Sequence, residues 1–337
     1  MNILLVILLL FSELSAVCSF SHIRKKVEKI DVVYTWVDGK DPNWQKAFQE
    51  TKTGYKERVV TDSQTAARFR SHDELKYSLR SLHKYAPFIN HIYIVTFSQR
   101  PEWLLPHPKI SVIDHKELFL TLDDLPTFNS QAIEANLHHI HGLSECYIYF
   151  NDDVFLGRAV EKSSFFSHDG KPKIFLASWI APDAPVHGDD PAFEASWKNT
   201  NALLNRLFGN KARYALEHAP FAFRRSLQKD VEKCLPGHFR RVSSHKFRSP
   251  EDLLLTAGFS QYLLDYYGLI CRAHIDSIVI GLKDDLEANR RALESIQTKK
   301  PTTFCIEDAM QNDSFEQNQQ LLHFFERYFP EKAPWEK

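Results

Sequence analysis

The chain has 337 residues, of which 43% are hydrophobic and 25% are charged, and its formal net charge is −1. This length and balance suit one large α/β domain, or one domain with an insertion, and they allow a sizeable buried core. The nearly neutral charge excludes the overall basic bias of many nucleic-acid-binding proteins, so no nucleic-acid partner is expected.

The N-terminus carries a continuous apolar run over residues 3–11, followed by small residues up to Cys18. This pattern predicts a secretory signal peptide or signal anchor over residues 1–18, with cleavage near Cys18 removing that thiol, and a basic connector over residues 19–29. We therefore expect export or membrane association through the apolar segment, with the cytoplasmic face of a membrane as the alternative. The other cysteines are far apart and show no zinc-ligand pair, so isolated thiols or at most two disulfides are expected.

Strand and helix patterns alternate along the first half of the chain. Residues 30–37 are rich in β-branched and aromatic residues and predict a buried strand, which the turn-forming residues 38–42 end. We then expect loop over residues 50–70, a helix over 71–85, strands over 91–97 and 110–113, a helix over 129–140, and a strand over 146–150. The second half predicts a mobile loop over residues 181–191 and helices near 199–208, 251–267 and 315–328. This alternation predicts an α/β fold with a mostly parallel, Rossmann-like sheet flanked by helices.

Two acidic segments follow predicted strands directly. Asn151-Asp152-Asp153 comes after the strand that ends near residue 150, where an open α/β sheet binds its ligands. Paired carboxylates there suit Mg²⁺ or Mn²⁺, although adjacent side chains on an extended chain point in opposite directions and one acid alone could be a direct ligand. Asp38-Gly39 follows the first strand and could contact a ribose or a metal. Ordinary turns are the competing interpretation of both segments.

Polar residues at two predicted helix starts have both a structural and a functional interpretation. Ser71 and Glu74 match a capping box, and Asp73 suits the positive end of the helix dipole. Asn129 and Ser130 are natural N-caps, yet the N-terminus of a helix is also a ready anion site.

Histidines and arginines with suitable chemistry gather in the second half. His218 and His245 have side chains that can act as a general base near neutral pH, and Arg248 suits bidentate phosphate recognition. Each is also compatible with a purely structural role.

Several segments together resemble the Stealth family of sugar-phosphate transferases, which includes bacterial capsular polysaccharide phosphotransferases and the catalytic subunit of N-acetylglucosamine-1-phosphotransferase. The resemblance lies in residues 30–39, in residues 68–82, 126–130 and 149–155, in Asn201-Ala202-Leu203-Leu204 with His218-Ala219-Pro220, and in residues 304–308. In the last of these segments the family pattern is expected to have Asn where this chain has Glu307. The resemblance implies one catalytic domain of the nucleotide-sugar transferase type over residues 30–337, with blocks at about 30–41, 68–157, 197–268 and 301–312.

The resemblance also implies a reaction and a set of site residues. A glycan hydroxyl attacks the β-phosphorus of a UDP-sugar, UMP leaves, and the sugar-1-phosphate, such as N-acetylglucosamine-1-phosphate, is transferred with the help of Mg²⁺ or Mn²⁺. The expected catalytic residues are His218 as general base with Asp38, Arg248 and Arg80. The expected substrate contacts are Trp36, Gly39, Arg68, Asp73, Glu74, Asn129, Ser130, Asn201 and His245. The expected metal ligands are Asn151, Asp152, Asp153 and Asp252. The alternatives are a metal-dependent glycosyltransferase that releases UDP and a non-catalytic glycan-binding module.

Overall fold

The computed structural model describes residues 18–23, 26–312 and 314–337, apart from the side chain of Thr61. The strands of these residues are β1 (Ile30–Thr35), β2 (Ile92–Thr96), β3 (Ile110–Asp114), β4 (Cys146–Asn151), β5 (Val154–Leu156), β6 (Lys173–Ile180), β7 (Tyr214–Leu216), β8 (Phe221–Arg224), β9 (Cys271–Ala273), β10 (Ser277–Leu282) and β11 (Thr303–Asp308). Their α-helices are α1 (Pro42–Gly54), α2 (Glu74–Tyr85), α3 (Ser130–Asn136), α4 (Lys162–Phe165), α5 (Ala192–Phe208), α6 (Arg225–Cys234), α7 (Pro236–Ser244), α8 (Gln261–Tyr266), α9 (Leu286–Lys299) and α10 (Phe315–Tyr328).

The central sheet has the strand order β3-β2-β1-β4-β8. β1 pairs in parallel with both β2 and β4, β2 pairs in parallel with β3, and the edge strand β8 runs antiparallel to β4. The predicted fold class, a mostly parallel sheet flanked by helices, is therefore confirmed. Thr35 lies opposite Asn151 in the register of β1 and β4, so the acidic segments that follow these two strands leave the sheet at the same edge.

A second sheet, β10-β11-β5, joins the C-terminal part of the chain to this edge. β5 begins directly after Asp153 and runs antiparallel to β11, with Val154 opposite Cys305. The backbone N–H of Ile306 donates to the carbonyl of Asp153 at 3.0 Å. Through this pairing, residues more than 150 positions later in the sequence lie beside the acidic strand end. A third sheet has the order β7-β6-β9.

Several helices differ from their predicted bounds. The helix expected over residues 129–140 is α3 followed by a short 3₁₀ segment, Leu137–His139, and the one expected near 251–267 is a π-helical segment, Leu255–Ser260, followed by α8. α1 was not predicted and extends into the segment expected to be loop. Trp44 and Phe48 are its buried residues, so the helix is mostly polar and its apolar stripe is too narrow to recognise in the sequence.

The predicted capping box at the start of α2 is wrong. The N-cap is Asp73, which adopts a left-handed backbone conformation (φ 65°) and makes no side-chain capping hydrogen bond. The carboxylate of Glu74 instead accepts the backbone N–H of His72 at 2.6 Å and contacts the His72 ring at 3.1 Å. The N-cap Asp73 is therefore strained, and Glu74, with its carboxylate turned toward His72, is buried near the edge where β1 and β4 end.

Most of the expected leader, residues 1–17, lies outside the described residues. We expected cleavage near Cys18 to remove its thiol, but Cys18 forms a disulfide with Cys234 at the end of α6. Nearby, the backbone N–H of Ser21 donates to Asp230 at 2.6 Å, and Phe20 and Ile23 pack on the core under α6. Part of the expected connector is therefore packed structure. Among the described residues, no helix has the length and apolar character to cross a membrane.

Gly39 provides a test of how tightly the β1 edge is packed. A Cβ placed there would lie 2.3 Å from the carbonyl oxygen of Phe69, which also accepts the Gly39 N–H at 2.9 Å. We expect Gly39→Ala to lower the free energy of unfolding by about 1–3 kcal/mol, because the backbone around Phe69 must shift. Urea unfolding measures the change, with Gly54→Ala as a control because a Cβ at Gly54 meets no atom within 4 Å. An equal effect of the two substitutions would contradict the expectation.

Candidate active site

Three carboxylates form an acidic group where β4 ends. Asp152 and Asp153 follow the strand directly, and Glu74 reaches them from the first turn of α2. Burial, followed by the charges of Asp153 and Glu74, raises the pKa of Asp152 well above its ordinary value. Burial also raises the pKa of Asp153, and the charge of His218 opposes this only in part. Neighbouring carboxylates that are partly buried lower the stability of the folded chain when they are all charged. Such an unfavourable group of charges is typical of a functional site.

His218 lies beside this acidic group. Its Nδ1 is 3.1 Å from Oε1 of Glu307 and 3.9 Å from Sγ of Cys305. Burial lowers the pKa of His218, but the hydrogen bond with Glu307 and the charges of Asp153 and Glu307 outweigh it, so the net pKa is raised. Glu307, where the family pattern was expected to have Asn, therefore orients the imidazole and stabilises its protonated form.

A second group is built around the N-terminus of α3. A guanidinium N–H of Arg248 donates to Oγ of Ser130 at 2.8 Å. Glu134, one turn later on α3, is hydrogen-bonded to Ser130 and Tyr149, and burial raises its pKa to about 7, with the charge of Arg248 acting in the opposite direction. The charge of His218 also acts on Glu134, so this carboxyl group lies near both the histidine and the arginine. Sequence reasoning missed Glu134.

Two arginines face this group from different elements. Burial, followed by the charge of Arg68, lowers the pKa of Arg248 to about 10, so the two guanidinium groups are near neighbours. Arg68 is held by the carbonyl and the carboxylate of Asp62, and its charge also reaches Glu307. The charges of Asp62 and Glu134 partly offset the repulsion between these two cations, and such a pair of guanidinium groups is suited to bind a phosphate.

Asp252 holds neighbouring residues in position. Hydrogen bonds already occupy its carboxylate, so the structure does not support its prediction as a metal ligand. Its carboxylate is fully buried and accepts hydrogen bonds from Asn129 Nδ2 at 2.9 Å and from the Ser249 N–H at 2.8 Å, and it lies 2.6 Å from His245 Nδ1. Asn129 in turn accepts the Gln131 N–H at 3.1 Å, so its predicted N-cap role is confirmed. This network fixes the start of α3 and the position of the residues before Arg248.

Three other predicted site residues lie in structural contacts. Arg80 is buried, makes hydrogen bonds at 2.8–3.0 Å to Glu336, and donates to the Phe329 carbonyl at 2.7 Å, so it ties α2 to the C-terminal segment and does not reach the acidic group. Asn201 is fully buried and donates to the Pro182 carbonyl at 2.8 Å. Trp36 belongs to the main hydrophobic core.

The segment after β1 stands at the rim of the acidic group. Oδ1 of Asp38 accepts the N–H of Lys40 at 2.8 Å, and the Asp38 backbone is clamped by the side-chain amide of Gln99 at 2.9 and 3.0 Å. Burial raises the pKa of Asp73, with further contributions from the charges of Glu74 and Asp38. Asp38 and Asp73 therefore extend the acidic edge, and the close approach at Gly39 is to Phe69 and not to an open cleft.

The acidic group fits a hard divalent cation. Oδ1 of Asp153 is buried and has no hydrogen-bond partner among the residues that the structure describes, and carboxylate oxygens are the donors that Mg²⁺ and Mn²⁺ prefer. Ligand atoms of Asp153, His218 and Cys305 also lie within 4.8 Å of one another. Burial, followed by the charges of Asp153 and Glu307, raises the pKa of the Cys305 thiol well above its usual value, so without a bound metal Cys305 is a protonated neighbour of Asp153.

Comparison with known proteins identifies the family. An exopolysaccharide phosphotransferase of Streptomyces coelicolor is 40% identical over 318 residues, which cover 91% of this chain and 57% of the relative. Exopolysaccharide phosphotransferase CpsY of Mycobacterium tuberculosis is 35% identical over 323 residues, 94% of this chain and 59% of the relative. The chain thus spans somewhat over half the length of these curated relatives. A solved structure of the galactosyltransferase LgtC with donor and acceptor sugar analogues aligns with a TM-score of 0.43 and 8% identity over 90% of this chain and 96% of that one.

Four family models match in chain order. They are Stealth protein conserved region 1 over residues 28–57, region 2 over 68–174, region 3 over 217–264 and region 4 over 294–337. Each contributes side chains to the strand-end edge, as Asp38, Asp153, His218 and Glu307 illustrate. The sequence matches and the shared edge agree, and the chain belongs to the Stealth protein family.

Proposed function

We propose that this chain transfers a sugar-1-phosphate from a UDP-sugar to a glycan hydroxyl and releases UMP, in the synthesis of an exopolysaccharide or a related glycan. The names of the relatives support phosphotransfer, and the convergence of an acidic group, an arginine pair and two candidate bases at one sheet edge carries the proposal. Phosphoryl transfer needs little covalent chemistry from the protein, but it needs positioning and charge stabilisation. N-acetylglucosamine-1-phosphate is the example that the family resemblance suggests.

Each group then has one task. The Asp152–Asp153 group would hold Mg²⁺ or Mn²⁺, whose chemistry is to neutralise the diphosphate and its developing charge. Arg248 and Arg68 bind the phosphate that is transferred, and their mutual repulsion falls when the anion lies between them. Ser130 and the network of Asp252 keep Arg248 in place.

A base must accept the proton of the acceptor hydroxyl, and two side chains compete for this task. His218 is oriented by Glu307, and Glu134 lies near both His218 and Arg248. In this proposal either residue takes the proton as the acceptor oxygen attacks the β-phosphorus and the bond to the UMP oxygen breaks. The uncharged or anionic form of the base is the active one.

Product analysis tests the proposal. Purified protein is incubated with a panel of UDP-sugars, a glycan acceptor and Mg²⁺ or Mn²⁺, and the nucleotide products are separated and quantified. We expect UMP to form together with a phosphodiester-linked sugar, to need the divalent ion, and to disappear in Asp153→Asn. UDP as the nucleotide product would contradict phosphotransfer and favour ordinary glycosyl transfer. Glycan binding without turnover of any donor would contradict the proposal that the chain is an enzyme.

We also propose that the chain is exported or held at a membrane by its N-terminal apolar segment. The Cys18–Cys234 disulfide supports this, because such bonds persist in oxidising compartments. If a leader is cleaved, the cut must precede Cys18 for the disulfide to remain. Intact-mass analysis of the mature chain, with and without reductant, tests this, and a mature N-terminus beyond Cys18 would contradict it.

A further inference from the structure

A second cluster of metal-ligand side chains lies away from the acidic group. His138 and His139 are in the 3₁₀ segment after α3, and Glu232 projects from α6. Nε2 of His138 is 2.8 Å and Nε2 of His139 is 2.9 Å from the same oxygen, Oε2 of Glu232. The exposed fractions of the three side chains are 2%, 12% and 23%, so the cluster is largely buried but reachable from solvent.

The hydrogen bonds of His139 fix which of its nitrogens carries the proton. Nδ1 of His139 lies 3.1 Å from the carbonyl oxygen of Leu118, and a carbonyl oxygen only accepts, so Nδ1 carries the hydrogen. In the neutral ring the lone pair of Nε2 then points at the Glu232 carboxylate, which is also an acceptor. Two acceptors at 2.9 Å repel unless a proton or a cation lies between them.

Nε2 of His138 faces the same Glu232 oxygen. One carboxylate oxygen thus faces two imidazole nitrogens, one of which is oriented by a backbone carbonyl. Metal-binding histidines in proteins show this arrangement, in which the second ring nitrogen donates to a carbonyl or a carboxylate and so presents a lone pair to the metal.

We propose that His138, His139 and Glu232 bind a divalent transition-metal ion, with Zn²⁺ as the best fit. Two imidazoles and one carboxylate are a donor set that zinc accepts, with a fourth position left to water. Tetrahedral geometry with bonds of about 2.0–2.1 Å separates neighbouring ligand atoms by roughly 3.3 Å, so the three side chains need to open by about half an ångström. The carboxylate-rich group at Asp153 favours a harder ion, so the two sites differ in their metal.

The position of the cluster gives the metal a structural task. α3 carries Ser130 and Glu134 of the candidate active site, and the 3₁₀ segment with the two histidines continues it directly. α6 holds the N-terminal segment through Cys234 and Asp230. The ion would join these two elements, and it would act in folding and rigidity whether or not the proposed reaction is correct.

Cobalt substitution tests the site with a readout independent of activity. The chelator-treated full chain carrying Cys305→Ser and Asp153→Asn, which remove the thiol and one carboxylate of the other candidate group, is titrated with Co²⁺ and then with Zn²⁺. We expect one equivalent of Co²⁺ to give visible ligand-field bands without a thiolate charge-transfer band, to be displaced by Zn²⁺, and to raise the melting temperature. Bands that do not appear at one equivalent would overturn the proposal.

Matched variants assign the bound ion to these residues. In the same background, His139→Gln and Glu232→Gln should each weaken Co²⁺ binding by at least about 10–100-fold, the loss that follows even from changes outside the direct ligands. His141→Gln, at an exposed histidine two positions away, should bind like the parent. Both substituted ligands are partly exposed, so the variants should remain folded, which far-UV circular dichroism checks. Unchanged affinity in both ligand variants would assign the ion elsewhere and overturn the proposal.

Discussion

Asp153→Asn is expected to lower turnover by at least about 10²–10³-fold while raising the melting temperature. The loss follows because the substitution removes a carboxylate that would hold the divalent ion, and losing one preorganised electrostatic contact to the developing charge has an effect of about this size. The gain follows because burial and neighbouring acids raise the pKa of Asp153, so its charged form is unfavourable in the folded chain. A neutral side chain of the same shape removes that cost.

Differential scanning fluorimetry and initial rates measure the two effects on the same samples. Mn²⁺ should raise the melting temperature of the wild type and have little effect on Asp153→Asn, because ligands that bind only the folded state stabilise it. Asp276→Asn is a suitable control, since Asp276 is a half-exposed acid that pairs with Arg158 at the surface. If Asp153→Asn lost stability and kept its turnover, the assignment of this carboxylate to the site would be wrong.

Glu134→Gln and His218→Gln together identify the base. Loss of a general base should reduce the rate by about 10²–10⁴-fold with little change in donor binding. The substitution that has this effect marks the residue that takes the proton, and the other should cause a smaller loss through altered positioning. Initial rates combined with donor binding by calorimetry separate the two cases. Full turnover in both variants would remove both residues from this role.

The pH profile of the wild type, compared with that of Glu134→Gln, tests Glu134 as the base. A base works only when deprotonated, and the pKa of Glu134 is raised to about 7, so kcat/KM should rise with pH through about 7. In Glu134→Gln that rise should disappear, and the residual activity should be flat over the same range. A rise near pH 7 that is unchanged in Glu134→Gln would show that another group controls the profile.

The features that sequence reasoning predicted well share a local cause. β1 and β4 are runs of apolar and aromatic residues ended by turn-forming acids, so both the sheet and its acidic edge could be predicted from short segments. Strands of three residues such as β5 and β7 carry too little pattern to be recognised. Their pairing partners, as with Val154 and Cys305, lie far away in sequence, and only the folded chain shows them.

The predicted site residues also differ in whether their role depends on local sequence or on partners far away in the chain. Arg80 was predicted as a phosphate contact, but its partner Glu336 is 256 positions away, and no local pattern distinguishes a buried ion pair from a phosphate site. Glu134 was overlooked although it lies four positions after Ser130 within Ala132-Ile133-Glu134-Ala135, where a lone acid among apolar helical residues could have drawn notice. The position of Asp252 at the start of a predicted helix could not reveal that Asn129, His245 and a backbone N–H already occupy its carboxylate.

The pairing of β5 with β11 also sets the order in which the site can form during synthesis. Asp153 emerges from the ribosome about 150 residues before Ile306 and Glu307, so the growing chain carries the repelling acids Glu74, Asp152 and Asp153 before the segment that completes their surroundings exists. Contacts of such long sequence separation form late, because the chain between them must first be ordered. A nascent chain that stalls before β11 therefore has an open, electrostatically unfavourable edge, and the candidate site is complete only after the last part of the domain has been made.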